Sequence, residues 1–427
     1  MSAFSAFPFS ILLLLAAVSS STLGNGFDLP VDSERELHVQ VQTPPEAKDD
    51  RRILLIWLEE SDESRPLFEA LLQGVRREGM AVWRINPLRS YFLERTPGNR
   101  NRLDGRGIAA LIEHAITVTD RQVAVVAAEH LSLAALRGVR RWQQSTRSHE
   151  RFAGVVLHYP NLYDTAPVAG EPPRLLPLAR AVNVPLYVFQ PELGTHSRRI
   201  KDLMQALWEG GSPAVLRRVS GVRDWWFMHD EPRRDPMDEV QAAALPAQMR
   251  KAIQWMDGQP VPKQAPVLGD DERRPRVRGL VERKPAEAPD FLLHAARGGE
   301  HRLGDTRGSV VLVNFWATWC PPCVEEIPSM NRLAERYEER DFRIVSVNFM
   351  ESAETILAFM EQVNVDFPVL LDPQGATSHA WNVFAFPTSF LLDRSGRIRY
   401  SVNSAIDWNE EEAVGVIDAL VDGVRGH

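Results

Sequence analysis

Val310-Val311-Leu312-Val313-Asn314-Phe315-Trp316, then Ala317-Thr318-Trp319, then Cys320-Pro321-Pro322-Cys323: on this stretch the reading of the fold turns. The seven-residue apolar run is a buried strand, and the segment opening at Pro321 is a helix whose first turn tolerates proline because its first N–H groups have no intrahelical partner. Cys320 therefore stands at the mouth of a helix N-terminus, with Cys323 one turn further in. The helix dipole favours the thiolate at the first position, and the spacing lets the second sulfur close a disulfide or attack a mixed one. That combination points to thiol–disulfide chemistry.

The chain has 427 residues and only these two cysteines. A structural zinc site needs four ligands, and no second cysteine pair exists to supply them, so no metal is expected, nor any cofactor. A disulfide closing so small a loop would stabilise the fold little, which argues against a mere staple. Apolar content of 44% and charged content of 25% are those of a globular protein, and the length implies more than one domain. The net charge of −8 argues against a nucleic-acid surface.

Residues 1–24 read as a secretory leader. Phe9 to Val18 is a short apolar core followed by Ser19, Ser20 and Ser21, although no Lys or Arg precedes it. The expected address is periplasmic or otherwise exported, with membrane anchoring if the segment is not cleaved.

Residues 34–256 alternate strands and helices. Ile53 to Leu58, Val82 to Ile85, Gln122 to Ala128, Gly154 to His158 and Pro185 to Phe189 are apolar strands, and helical patterns run through Phe68, Leu71, Leu72 and Val75 and through Ile108, Leu111 and Ile112. The alternation predicts an α/β fold with a parallel sheet. Residues 257–287, rich in Pro, Arg, Asp and Glu, read as an extended linker. Residues 288–427 form a second α/β unit. Strands follow at Ile344 to Phe349 and Phe367 to Leu371, then a hairpin of Ser389 to Leu392 with Ile398 to Tyr400, and a last helix over Glu410 to Val421.

Further residues fit one pattern with the cysteines. They are Ala288-Pro289-Asp290-Phe291, the run Phe315 to Cys323, Glu326-Ile327-Pro328, Phe386-Pro387-Thr388 and the turn Asp393 to Gly396. Together they resemble thioredoxin-fold thiol–disulfide oxidoreductases of the TlpA/ResA type. The resemblance implies Cys320 as the exposed attacking thiol, Cys323 as the buried resolving thiol, and Pro387 as a cis-proline facing them. It implies substrate contacts at Trp319, Phe386 and Thr388. Thioredoxins proper carry an aspartate where this chain has Asn314, which takes no proton; Glu326 is the expected substitute as acid–base group. A peroxidase of the peroxiredoxin type fits less well, because Ala317 stands where Thr or Ser would precede its cysteine by three residues. Protein disulfides or thiols are the implied clients. A membrane thiol carrier or another thioredoxin-like protein is the implied electron donor, and cytochrome c maturation or general disulfide reduction the implied setting.

The first unit more loosely resembles an α/β-hydrolase, with Ala128-Glu129-His130-Leu131-Ser132 where Gly-x-Ser-x-Gly would stand. His130 occupies the elbow position in that alignment, Ser132 reads as a helix-start or packing serine, and Gly221-Val222-Arg223-Asp224-Trp225 replaces the late catalytic histidine. The expectation is a non-catalytic, partner-binding unit, with Trp225-Trp226-Phe227 as core packing or a groove. An adaptor with an ancillary redox pair, or a bifunctional hydrolase, is the alternative.

Overall fold

The computed structural model describes residues 26–33, 35–45, 53–60, 65–94, 97–145, 150–164, 168–229, 234–269 and 279–423. The expected leader, residues 1–24, lies outside the described residues.

The first sheet holds eight strands: β1 (Gly26–Pro30), β2 (Glu36–Gln42), β3 (Ile53–Leu58), β4 (Met80–Ile85), β5 (Gln122–Ala128), β6 (Phe152–His158), β7 (Leu186–Pro191) and β8 (Ala214–Val219). Their order is β1-β2-β4-β3-β5-β6-β7-β8. From β4 to β8 every pairing is parallel, while β1 and β2 add an antiparallel edge that the sequence reading did not anticipate. Strand β3 shows why its run is apolar throughout. Leu54, Ile56 and Leu58 join the core under α2 (Arg106–Val118), α3 (Leu131–Ser145) and α4 (Ile200–Glu209), while Ile53, Leu55 and Trp57 join the core on the opposite face. That second core packs on α1 (Pro66–Arg77) and α5 (Pro236–Asp257). A sheet covered on both faces needs apolar residues at both parities. Helix α5 starts from a capping box of Asp235 and Asp238 and tolerates Pro246 in its interior. There the ring lies over Gly74 of α1, where a Cβ would come within 2.7 Å of the proline Cγ.

The second sheet has six strands: β9 (Val281–Glu287), β10 (Val310–Trp316), β11 (Phe342–Phe349), β12 (Val369–Asp372), β13 (Thr388–Leu392) and β14 (Arg397–Val402), in the order β9-β14-β13-β10-β11-β12. β10, β11 and β12 are parallel, and β13 runs antiparallel to both β10 and β14. Val310, Leu312 and Trp316 point to α6 (Pro321–Arg336), α7 (Ala353–Gln362) and α8 (Glu411–Val421); Val311, Val313 and Phe315 point to Phe291, Leu303, Trp381 and Phe390.

One boundary needs correction. The stretch expected to end an extended linker at residue 287 contains β9, which pairs antiparallel with β14 through Val281↔Ser401 and Ala286↔Ile398. Its residues are mostly exposed, so an edge strand held by backbone hydrogen bonds carried no apolar alternation to reveal it.

Loops of the first unit contact the second unit directly. The Ala169 carbonyl accepts from Arg283 Nη1 at 2.5 Å and from Ser401 Oγ at 3.3 Å, and Asn382 Nδ2 donates to the Gly170 carbonyl at 3.2 Å. Arg198 Nε donates to the Gln374 carbonyl at 2.7 Å, and Arg223 to the Met350 carbonyl. Among the described residues no helix is long and apolar enough to cross a membrane.

Candidate active site

Strand β10 delivers the loop Ala317 to Trp319 to the end of the second sheet, and Cys320 serves as the N-cap residue of α6, with extended backbone (φ −99°, ψ 100°). Pro321 and Pro322 occupy the first helical positions, exposed to solvent. The Cys323 and Val324 N–H groups close back on the Cys320 carbonyl at 3.0 and 3.2 Å. The two cysteines form a disulfide with Cα atoms 5.3 Å apart.

Cys320 was expected exposed and Cys323 buried. Both are buried, at 6% and 2% exposure. The Cys320 side chain lies in the apolar cluster of Trp316, Ala317, Cys323 and Ile327, so it presents only a small edge outward. The Phe386–Pro387 peptide is cis. Pro387 itself is buried, Phe386 lies tilted against Phe349 at 4.8 Å and edge-on at 5.9 Å against Trp319, and Thr388 opens β13 with its hydroxyl donating to the Ala385 carbonyl at 2.8 Å. Trp319 and Phe386 are half-buried, and the two rings stand together at the rim.

Glu326, one turn past Cys323, is 3% exposed, whereas its neighbour Glu325 is exposed. Its Oε1 accepts from Trp408 Nε1 at 2.9 Å and from the Ile406 N–H at 3.2 Å; its Oε2 accepts from Asn314 Nδ2 at 3.4 Å. Asn314 also donates to Ser389 Oγ at 2.9 Å. Burial outweighs these donors and pushes the Glu326 carboxyl up to about 7. A buried acid poised there exchanges protons readily near neutral pH.

Sequence reading missed a second buried carboxylate. Glu351, just after β11, is 4% exposed. Its Oε2 accepts from the Thr318 N–H at 2.8 Å and Asn348 Nδ2 at 2.7 Å, and its Oε1 from Thr318 Oγ1 at 2.6 Å. It thus clamps the loop two residues before Cys320. Only its place at a strand end hinted at this. Trp408, which holds Glu326, lies 82 residues away in sequence and gave no local signal.

Against known proteins, the AhpC/TSA family model matches residues 285–401. The thiol-disulfide oxidoreductase ResA of Geobacillus kaustophilus is 40% identical over 119 residues, 28% of this chain and 68% of that protein. The chain belongs to the ResA-type thiol–disulfide oxidoreductases. The thioredoxin-like protein YneN of Bacillus subtilis is 39% identical over 116 residues, 26% of this chain and 67% of that protein, so the chain spans about two thirds of the length of these relatives. A crystal structure described as the thiol:disulfide interchange protein DsbE of Chlorobium tepidum is similar with 35% identity and a TM-score of 0.31, covering 33% of this chain and 99% of that one. The family match and the ResA and YneN relatives give the C-terminal unit a thioredoxin fold and make the chain a thiol–disulfide oxidoreductase of ResA type.

In the first unit the residue of the strained turn between β5 and α3 is Glu129 (φ +48°), not His130, which corrects the elbow assignment by one position. His130 Nε2 lies 2.9 Å from Glu129 Oε1. Ser132 is fully buried, and its Oγ has no hydrogen-bond partner among the described residues. Trp226 and Phe227 are core: they pack with Tyr159, His158, Trp57 and Phe68 rather than lining a groove. Asp224 accepts from the Thr195 N–H at 2.8 Å, and burial pushes its carboxyl up to about 6. Among the described residues no group of three His, Cys, Asp or Glu side chains is arranged to hold a metal ion.

Proposed function

We propose that this protein is an exported disulfide reductase that works through Cys320 and Cys323. In the reduced pair the Cys320 thiolate attacks a client disulfide, forming a mixed disulfide and releasing one client sulfur as thiol. Cys323, deprotonated by Glu326, then attacks Cys320 Sγ; the second client thiol leaves, and the pair ends oxidised with two electrons passed to the client. A membrane thiol carrier or another exported thioredoxin-like protein returns those electrons by the same exchange in reverse. The observation that carries this reading is the cysteine pair at the α6 N-terminus, with Phe386, the residue before cis-Pro387, against Trp319, and a buried Glu326 one turn along. Phe386, Thr388 and Trp319 would hold an extended client segment at the rim.

The reducing direction rests on Pro321 and Pro322, which withhold N–H donors from the Cys320 thiolate and so limit the depression of its pKa. Cytochrome c maturation and general disulfide reduction are the settings in which such a reductant would serve. Residues 34–256 are read as an α/β-hydrolase-like unit that binds a partner; a buried Ser132 and a carboxylate at the strained turn support the absence of serine-hydrolase chemistry. Residues 288–427, extended N-terminally by β9, are read as the redox unit. Cys323→Ala tests the roles: it should accumulate clients on Cys320 as mixed disulfides in non-reducing gels of periplasmic extract, and a variant that captures nothing would reverse the assignment.

A further inference from the structure

Arg223 belongs to the first unit, in the turn Gly221 to Trp225 after β8, yet it reaches the redox unit. Its Nη2 donates to the carbonyl of Met350, the residue that leaves β11 with φ +57°, and its Nη1 is buried without a hydrogen-bond partner among the described residues. The next residue is Glu351, the carboxylate that clamps both the N–H and the hydroxyl of Thr318. Two residues beyond Thr318 is Cys320, whose own N–H turns back to the Ala317 carbonyl at 3.2 Å. Among the described residues every hydrogen bond to Glu351 comes from a neutral donor: Thr318 twice and Asn348. Across the interface Arg223, held at the adjacent Met350 carbonyl, brings a positive charge toward Glu351 without forming an ion pair with it, and burial lowers the Arg223 pKa. From its own unit Arg223 also faces Asp224, Asp235 and Asp238; within the redox unit the other buried acid near the pair is Glu326.

We propose that Arg223 is a positioning residue for the redox pair: its charge balances Glu351 and its N–H fixes the Met350 carbonyl, so that the first unit sets the reactivity of Cys320. This deepens the reading of Cys320 as the attacking thiol and rests on it. A buried carboxylate without a counter-ion disfavours a second negative charge nearby, so losing Arg223 should suppress the Cys320 thiolate. Losing the Glu351 charge while Arg223 remains should favour it. The two substitutions therefore act in opposite directions on one observable, whereas a purely structural loosening of the loop would act in the same direction for both.

The experiment uses the full chain, reduced and freed of reductant, with iodoacetamide alkylation at pH 7 followed by peptide mass spectrometry to assign rates to each cysteine. Arg223→Ala should alkylate at Cys320 about threefold more slowly than wild type, the equivalent of half a pKa unit. Arg223→Lys, which keeps the charge, should stay close to wild type, and Glu351→Gln should alkylate faster. Wild-type rates for Arg223→Ala, a Lys variant as slow as the Ala variant, or slowing by Glu351→Gln would each overturn the proposal. If Arg223→Ala does not fold, Glu351→Gln and Arg223→Lys still decide it. A wild-type protein in which Cys323 reacts faster than Cys320 would instead sink the underlying assignment of roles, so the two failures are distinguishable.

Discussion

Glu326 is buried under three donors, and its carboxyl keeps its proton up to about pH 7, whereas in the unfolded chain it would release it near 4.5. Between those values the unfolded state binds fewer protons than the folded one, so folding stability falls as pH rises from about 4.5 through about 7 and is level above. The whole penalty is about 3 kcal/mol at pH 8, taking each unit as roughly 1.4 kcal/mol. Glu326→Gln keeps an acceptor for Trp408 and the Ile406 N–H but removes the ionisation. Denaturant titrations of the oxidised protein at pH 5 and pH 8 should therefore show the wild type weaker at pH 8 by up to that amount, with the Gln variant losing most of the difference. On the role proposed for Glu326 as proton acceptor for Cys323, the same substitution should slow disulfide reduction at neutral pH. At this scale local spacing marks the cysteine pair at a helix start, while Pro387 and Glu326 stand out only through the resemblance to the TlpA/ResA type. The sequence is silent on Glu351 and Trp408, because a carboxylate clamping Thr318 from 33 residues away leaves no periodic trace.

Elements were legible in proportion to how fully they are buried. β3, β5, β6 and β10 are apolar along their length because both faces of each sheet are covered, and each was readable from composition alone. β9 reads as linker in the sequence because its side chains mostly face solvent and its pairing is made by backbone groups, which every residue type supplies. The β9 pairing can be tested by length. A fragment of residues 279–427 retains it, while one of residues 288–427 exposes β14 as an edge. With a few ladder hydrogen bonds worth about 1 kcal/mol each at most, the shorter fragment should be less stable by about 2 kcal/mol. Its melting temperature should lie several degrees lower, by roughly 2 to 4 °C per kcal/mol in a unit of about 150 residues. Equal melting of the two fragments would mean that β9 adds nothing to the sheet.

At the scale of the whole molecule, the two units share a contact that neither one's sequence announces. Ala169, 3% exposed, is counted among the core residues of the second sheet with Trp381 and Phe390, and its carbonyl is held by Arg283 and Ser401. Gly170 adopts φ +83°, and a Cβ there would stand 2.8 Å from the Phe390 ring. Interfaces of this kind are invisible in sequence because arginine donors and backbone acceptors carry no pattern, and a glycine at a close approach looks like any turn glycine. They nonetheless make the arrangement of units testable. Ala169→Arg forces a charge into the apolar contact, and Gly170→Leu adds both steric bulk and left-handed strain. Either should loosen the docking without touching the dithiol. The measurable result is faster proteolytic cleavage within residues 257–280 and a lower melting temperature for the redox unit, with both cysteines still able to form their disulfide. Because Arg223 reaches Met350 across the same boundary, undocking should also slow Cys320 alkylation in the direction expected for Arg223→Ala. Loosened docking with unaltered thiol reactivity would separate the two contacts and confine Ala169 and Gly170 to a purely architectural role.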